Sequence, residues 1–366
     1  MRNIILRIWK GESGIEKWFL FPLLYFFSKI YELCLKVRNF LYKSRVLKTD
    51  EVSIPVLAIG NITVGGTGKT PVVEKLAHSL REMGFNPGII TRGYKRSRQG
   101  TFCIDRNNDK AAEVGDEALM LARKTKLPVV VGARRSLAIV EAMRKCYVDL
   151  AILDDGFQVK NIKKNVEVVV VKGGERNKST DLFPLGPCRE PISRLKDADV
   201  VLVNNGIASS DITNMLHGIP TFQMTYRPVH LYNVKHNLIA HYNILHGKKI
   251  SAFSGLGDNQ SFFDLLRSLG ADVVREVSFQ DHHVYNAKDL ERISSFHDVN
   301  LIVTTEKDAV KISDMVTPDN LFYLVVEAKI EKEQELIEVI VKKIQASRLT
   351  LHGMGAGGIV QKHWAN

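Results

Sequence analysis

Apolar residues along this chain fall into short runs that alternate with amphipathic stretches. Runs at 56–59, 87–91, 128–131, 149–153, 167–171 and 200–204 are rich in Val, Ile and Leu. Turn-forming residues flank most of them, so they predict buried strands. Between them, 71–83, 117–125 and 136–145 read as helices. The first places Val72, Val73, Leu76, Ala77, Leu80 and Met83 along one face and closes at Gly84. Strand and helix in repeated alternation predict a parallel sheet with helices on both faces. Ligands of such sheets bind beyond the carboxyl ends of the strands.

The pattern changes near Thr221. Residues 221–248 are rich in Tyr, His, Asn and β-branched residues with little helical periodicity, which predicts extended connectors. A second α/β unit follows: a strand at 250–253, a turn at Gly255-Leu256-Gly257-Asp258, and a helix at 262–269 stopped by Gly270. Further strands are expected at 272–277, 301–304 and 321–325, then a last helix at 332–346. Gly353-Met354-Gly355-Ala356-Gly357-Gly358 spells a dinucleotide fingerprint, but no strand precedes it and too little chain follows for a βαβ unit. It reads as part of a flexible tail. The expected organisation is an N-terminal segment (1–50), a first α/β unit (51–220), a linker (221–248), a second unit (249–347) and the tail (348–366).

The N-terminal segment stands apart in charge. Ten Lys/Arg against four Asp/Glu give it +6 of the chain's net +11. It also holds the apolar run Trp18 to Phe27, ten residues long and too short to span a bilayer, which takes about 20. Aromatic residues beside Lys and Arg suit an amphipathic helix lying on an anionic membrane surface. A helix buried against its own domain is the alternative. No RNA-binding, helix-turn-helix or zinc pattern points to nucleic acid. The 45% hydrophobic and 25% charged content is that of a globular protein. Cys34, Cys103, Cys146 and Cys188 are scattered without metal-ligand spacing and read as reduced thiols.

Chemistry enters at Thr63-Val64-Gly65-Gly66-Thr67-Gly68-Lys69-Thr70, between the first predicted strand and the first predicted helix. Strand, glycine loop with Lys-Thr, and helix make the layout of a P-loop. Its glycines let backbone N–H groups converge on phosphate oxygens at a helix N-terminus. Lys69 is placed for the β- and γ-phosphates and Thr70 for Mg²⁺. Thr63 stands where general P-loops carry glycine. Asp154-Asp155 follows the strand at 149–153, the place of a Mg²⁺-binding acid in P-loop folds. Asp116 and Glu117 open a helix, where they serve either as cap and dipole partners or as catalytic groups. Arg134 and Arg135 follow a strand and suit either phosphate recognition or the surface. Asp281-His282-His283 offers a base with an orienting carboxylate but no third ligand spaced for zinc. Leu185-Gly186-Pro187-Cys188-Arg189-Glu190-Pro191 presents its Arg and Glu from irregular backbone. The guanine motif Asn-Lys-x-Asp is missing its acid at Asn177-Lys178-Ser179-Thr180, which favours ATP over GTP.

In this order, these segments resemble the tetraacyldisaccharide 4′-kinases of lipid A biosynthesis, the LpxK family. The matching stretches are Gly60 to Pro71, Thr91-Arg92-Gly93-Tyr94, Val114 to Ala118, Leu153 to Gln158, Leu185 to Leu195, Phe279 to His283 and Thr305-Glu306-Lys307-Asp308. Thr63 is ordinary for that family. The resemblance implies a P-loop NTPase-like domain and a smaller second α/β domain joined by a two-stranded linker, with the site in the cleft. It implies phosphorylation of the 4′-hydroxyl of a tetraacyldisaccharide 1-phosphate to lipid IVA, with ATP and Mg²⁺. It also implies a monomer at the cytoplasmic face of the inner membrane. Carried over by position, residues 63–70 bind nucleotide, and Thr70 and Asp155 hold the metal. Lys69, Asp154 and Asp155 act with a base couple of Asp116 and His282. Arg135, Gln158, Arg189 and Glu190 contact substrate. His283 adjoins His282, which is preferred because it follows Asp281. A regulatory or metallochaperone P-loop NTPase is the other class weighed. The absent guanine motif and the membrane-like N-terminus argue against it.

Overall fold

The alternation in the sequence resolves into one 13-stranded sheet. The computed structural model describes residues 9, 16–65, 68–174, 179–236, 238–295 and 298–353. Of the P-loop, Gly66 and Thr67 lie outside the described residues, as do residues 354–366 of the expected tail and Asn177-Lys178 of the near guanine motif. In chain order the strands are β1 (Val56–Asn61), β2 (Pro87–Thr91), β3 (Phe102–Cys103), β4 (Val129–Val131), β5 (Leu150–Asp154), β6 (Val166–Lys172) and β7 (Val200–Asn204). Then come β8 (Thr221–Asn233), β9 (Ile239–His241), β10 (Lys249–Ser254), β11 (Asp272–Ser278), β12 (Leu301–Thr305) and β13 (Leu321–Ile330).

The order β11-β10-β12-β13-β8-β7-β6-β1-β5-β2-β4-β3 contains two parallel blocks, with β9 beside β8. They meet where β8 and β13 pair antiparallel, from Asn233 opposite Phe322 to Met224 opposite Ile330. The linker is therefore a ribbon. The chain leaves the first block along β8, paired with β7, and returns along β13, paired with β12. Sequence periodicity marks 221–248 as extended connectors and assigns 321–325 to a strand of the second unit. The two become ribbon partners across about ninety residues, which local pattern does not register. The last helix, Glu333–Gly353, runs past the expected end at 346. It packs on the first unit: Leu336, Ile340 and Ile344 share a core with Val72, Leu76 and Leu80 of the P-loop helix.

Strands β1, β2, β4, β5 and β7 are buried at every position. Helices cover both faces of these parallel strands, so no polar alternation survives in them. Leu119 and Ala122 join the P-loop helix on one face, while Ala138, Ile139 and Ala142 cover the other. Ile250, Phe263, Leu266 and Val303 form the core of the second unit.

The N-terminal helix, Glu16–Lys43, continues 28 residues through Pro22. Leu24, Ser28 and Leu35 are buried on one side. Their spacing of four and seven residues is that of a helical stripe facing a neighbour. The same stripe carries bonds to the 182–190 segment: Ser28 Oγ to the Leu182 carbonyl (3.0 Å), Tyr31 Oη to the Arg189 carbonyl (2.9 Å) and Arg38 Nη2 to Glu190 Oε1 (2.6 Å). The opposite side exposes Phe26, Phe27, Ile30, Leu33, Val37 and Phe40. No helix among the described residues is long and apolar enough to cross a membrane.

Candidate active site

The carboxyl ends of β1, β2, β4 and β5 converge, as the parallel layout requires. The loop after β1 delivers Gly68 at φ +81° as the N-cap of helix Lys69–Glu82. That left-handed conformation suits glycine. A Cβ on Gly68 would also fall on the Tyr226 hydroxyl of β8, so the linker ribbon touches the phosphate loop directly. Upstream, the Val64 N–H donates to the Pro187 carbonyl (2.7 Å), and Thr63 bridges Cys188. The 182–190 segment thus braces the loop on one side and the N-terminal helix on the other.

Asp155 follows β5 with φ +52°, a conformation that costs a non-glycine residue about 1 kcal/mol or more and persists where surroundings enforce it. Arg189 enforces it with two bonds to the carboxylate, at 3.0 and 2.9 Å, while also donating to Asn61 Oδ1. Lys69 Nζ lies 3.3 Å from the same carboxylate. Burial works to raise the Asp155 pKa, but the Arg189 bonds and the Lys69 charge outweigh it and hold the group well below the usual carboxylate range.

Asp154 behaves oppositely. Burial, then the nearby Glu117 and Asp155 charges, push it up to about 7, against the pull of Lys69 and Arg135. A carboxyl raised in the fold contributes most below its unfolded pKa of about 3.9, and that contribution is lost as pH rises through about 7. Asp154→Asn should therefore gain stability relative to the parent as pH rises from about 4 to about 7, by at most a few kcal/mol. Thermal unfolding without nucleotide and with a chelator reads this. A difference that stays constant or narrows with rising pH would contradict it.

Arg135 is buried, donates to the Gly132 carbonyl at 2.6 Å, and is lowered to about 10 by burial. Its neighbour Arg134 is exposed and pairs with Asp50 at 3.3 Å, so only the second arginine of the pair faces the site. Gln158 Nε2 donates to the Asn61 carbonyl, while its buried Oε1 has no partner among the described residues. Glu190, expected to contact substrate, is fully buried and faces Arg38 instead. The charge pair of that loop is split between two directions, the cleft and the N-terminal helix, which sequence could not separate.

The second unit closes the site. Asp116 begins helix Asp116–Thr125, and its Oδ1 accepts from the Glu117 N–H (2.9 Å). Its Oδ2 meets His282 Nδ1 at 2.9 Å. Local capping and the long-range contact use different oxygens of one carboxylate. His282 has φ +59° and lies against the Tyr94 ring, 4.8 Å between centroids. His283 points elsewhere, to Asp289 at 2.9 Å and onto Phe279. Burial works against ionised Asp116, but the His282 bond and the Lys307 charge hold its pKa below the usual value. A second tie lies deeper: Lys124 Nζ bridges Glu74 (2.9 Å) of the P-loop helix and Glu306 (2.8 Å) of the second unit. Sequence reading assigned no part to Asn61, Lys124, Tyr226 or Lys307. Asn61 and Lys307 lay within the matched Gly60 to Pro71 and Thr305 to Asp308 segments, the signal available for those two.

Oxygen donors suit Mg²⁺ here. Asp155 is ionised and 41% exposed in its side chain, and Thr70 follows Lys69, which pairs with Asp155, in the first turn of its helix. Among the described residues no group of three or more His, Cys, Asp or Glu could hold a metal by itself. That matches an ion that uses one or two carboxylates together with substrate phosphates.

Known proteins agree with this architecture. The tetraacyldisaccharide 4′-kinase of Shewanella frigidimarina is 34% identical over 98% of this chain and 100% of its own length. That of Vibrio cholerae is 33% identical over 92% and 96%. The solved LpxK of Aquifex aeolicus, in complex with ATP, superposes with a TM-score of 0.73 at 30% identity, covering 90% of this chain and 100% of that one. The family model for LpxK, tetraacyldisaccharide-1-P 4′-kinase, matches residues 20–345, and the chain belongs to that family.

Proposed function

We propose that this protein is an ATP-dependent kinase of lipid A biosynthesis that phosphorylates the 4′-hydroxyl of tetraacyldisaccharide 1-phosphate, giving lipid IVA. The observation that carries the reading is the Asp116–His282 pair, 2.9 Å apart and assembled from two units beside a P-loop. Residues 63–70 bind the nucleotide: the Lys69 ammonium and the N–H groups that open helix Lys69–Glu82 hold the phosphates, while the Val64 N–H braces the loop on the Pro187 carbonyl. Thr70 and Asp155 hold Mg²⁺, whose chemistry is neutralisation of charge on the phosphate oxygens. Lys69 and Arg189 keep Asp155 ionised for that task. Asp154, raised to about 7, is only partly ionised behind it near neutral pH. Asp116 accepts the hydroxyl proton as the sugar oxygen bonds to phosphorus and the electron pair of the broken P–O bond leaves with ADP. Arg135 and the open Oε1 of Gln158 offer polar contacts to substrate, and Arg189 orients Asp155. Glu190 acts at one remove, by seating the N-terminal helix through Arg38.

The exposed face of that helix, Phe26 to Phe40, suits an anionic bilayer that retains the acyl chains of the substrate. On this reading the enzyme works as a monomer at the cytoplasmic face of the inner membrane, attached without spanning it. Incubation with ATP labelled at the γ-phosphate, Mg²⁺ and the disaccharide 1-phosphate in detergent should yield labelled lipid. Intact ATP binding with no labelled lipid would defeat the kinase assignment.

A further inference from the structure

Lys307 occupies the second position of helix Glu306–Ile312, directly after β12. Its side chain is 11% exposed. Its Nζ lies 2.9 Å from Glu117 Oε1, 3.2 Å from Asp281 Oδ1 and 3.2 Å from His282 Nε2. Burial disfavours its charge, but Glu117, Asp116 and Asp281 outweigh that and raise its pKa above the ordinary lysine value. An ammonium has three protons to donate and accepts nothing. Three neighbours stand ready to receive them, and one is a ring nitrogen. That nitrogen must present a lone pair. The hydrogen of His282 then resides on Nδ1, which faces Asp116 Oδ2. A second ring proton on Nε2 would set an imidazolium against an ammonium at contact distance.

We propose that Lys307 is a positioning residue for phosphoryl transfer: it fixes His282 as a neutral imidazole with its hydrogen on Nδ1. Asp116 is thereby left as the group that takes the hydroxyl proton. The inference rests on the reading of Asp116 and His282 as the base couple, and it deepens that reading. It also makes the couple conditional. Lys307 and His282 belong to the second unit, while Asp116 and Glu117 belong to the first. The tautomer is set where the two units meet, so closure does more than bring groups near one another. The other groups facing the ring fit this state. Asp281 Oδ1 is 3.7 Å from Nε2 and is occupied by Lys307. Lys311 Nζ is 3.8 Å from Asp116 Oδ2 and is bonded to Asp308. Tyr94 contributes a ring face.

The test is long-range proton–nitrogen NMR on the full chain labelled at histidine nitrogens. The His282 signals are identified by their loss in His282→Gln. At about pH 7 the unaltered protein should show the neutral Nδ1–H pattern. Lys307→Met should lose that pattern at the same pH and lower kcat by about 10²-fold. Lys307→Arg, which keeps a charged donor, should retain the neutral pattern. An imidazolium or an Nε2–H tautomer in the unaltered protein overturns the proposal. So does a Lys307→Met protein whose ring pattern is unchanged. Should Lys307→Met fail to fold or to bind ATP, the spectra of the unaltered protein and of Lys307→Arg still decide. The base reading fails separately, if Asp116→Asn retains turnover while the His282 pattern stands.

Discussion

Asp116→Asn should lower kcat by about 10²–10⁴-fold, the usual contribution of a positioned base, and leave ATP affinity nearly unchanged. Asp116 touches His282, the Glu117 N–H and, at longer range, Lys311, and none of these belongs to the phosphate loop. The amide is the informative replacement. Asp116→Ala would leave Lys307, Lys311 and His282 around an empty site, and loss of one partner from a buried charge cluster costs about 3–5 kcal/mol. That could unfold the interface and obscure the chemistry. Asp116→Ala is therefore expected to lose turnover and thermal stability together, and Asp116→Asn turnover mainly. Turnover assays paired with equilibrium ATP binding distinguish the outcomes. A large loss of ATP binding in Asp116→Asn would count against its role as base.

The sign of the Asp116 shift bears on the pH profile. A carboxylate depressed in the fold adds stability that is present above its unfolded pKa of about 3.9 and lost as pH falls through the lower folded value. Asp116 therefore stays charged well into the acid range, and its titration should not set a limb of kcat near neutrality. Such a group is a weak base. Phosphoryl transfer through a loose transition state tolerates this, because the hydroxyl proton is released late and positioning matters more than basicity.

Strands β1, β5, β6 and β7 and their helices were legible because each buries its own periodic face, and burial is written locally. The P-loop was legible because the need for glycine at Gly68 is also local. The β8–β13 ribbon and the return of Glu333–Gly353 to the first core were not, because nothing near either segment encodes its distant partner. The same limit applies in the site. Asp116 could be read as a helix-start acid from its neighbours, and one oxygen does accept from the Glu117 N–H of the first turn. Its second oxygen meets His282, 166 residues away, a contact visible only in three dimensions. Glu190 was legible as an unusual acid, but its direction depends on Arg38, 152 residues earlier.

Replacing Phe26, Leu33 and Phe40 together by Ser should release the protein from vesicles containing anionic lipid while ATP affinity stays as it was. The three are 60%, 61% and 67% exposed and lie seven residues apart, on one line of the helix. Burying a large apolar side chain contributes about 1.5–3 kcal/mol, so losing three should weaken membrane partitioning by roughly 10³-fold or more. Lys29 and Lys36 remain exposed, and their shared partner Glu32 is unchanged, so any residual attraction is electrostatic and should vanish in high salt. Sedimentation with vesicles at low and high salt reads both contributions. A triple variant that still pellets at high salt would rule out this face as the membrane contact. Deleting the whole helix is a poorer experiment. It would strip Arg38 from Glu190, which is fully buried, and remove the Tyr31 bond to the Arg189 carbonyl, next to the side chain that orients Asp155. An inactive deletion would follow from the uncompensated charge alone. Only substitutions on the outward face separate attachment to the bilayer from support of the Asp155 carboxylate.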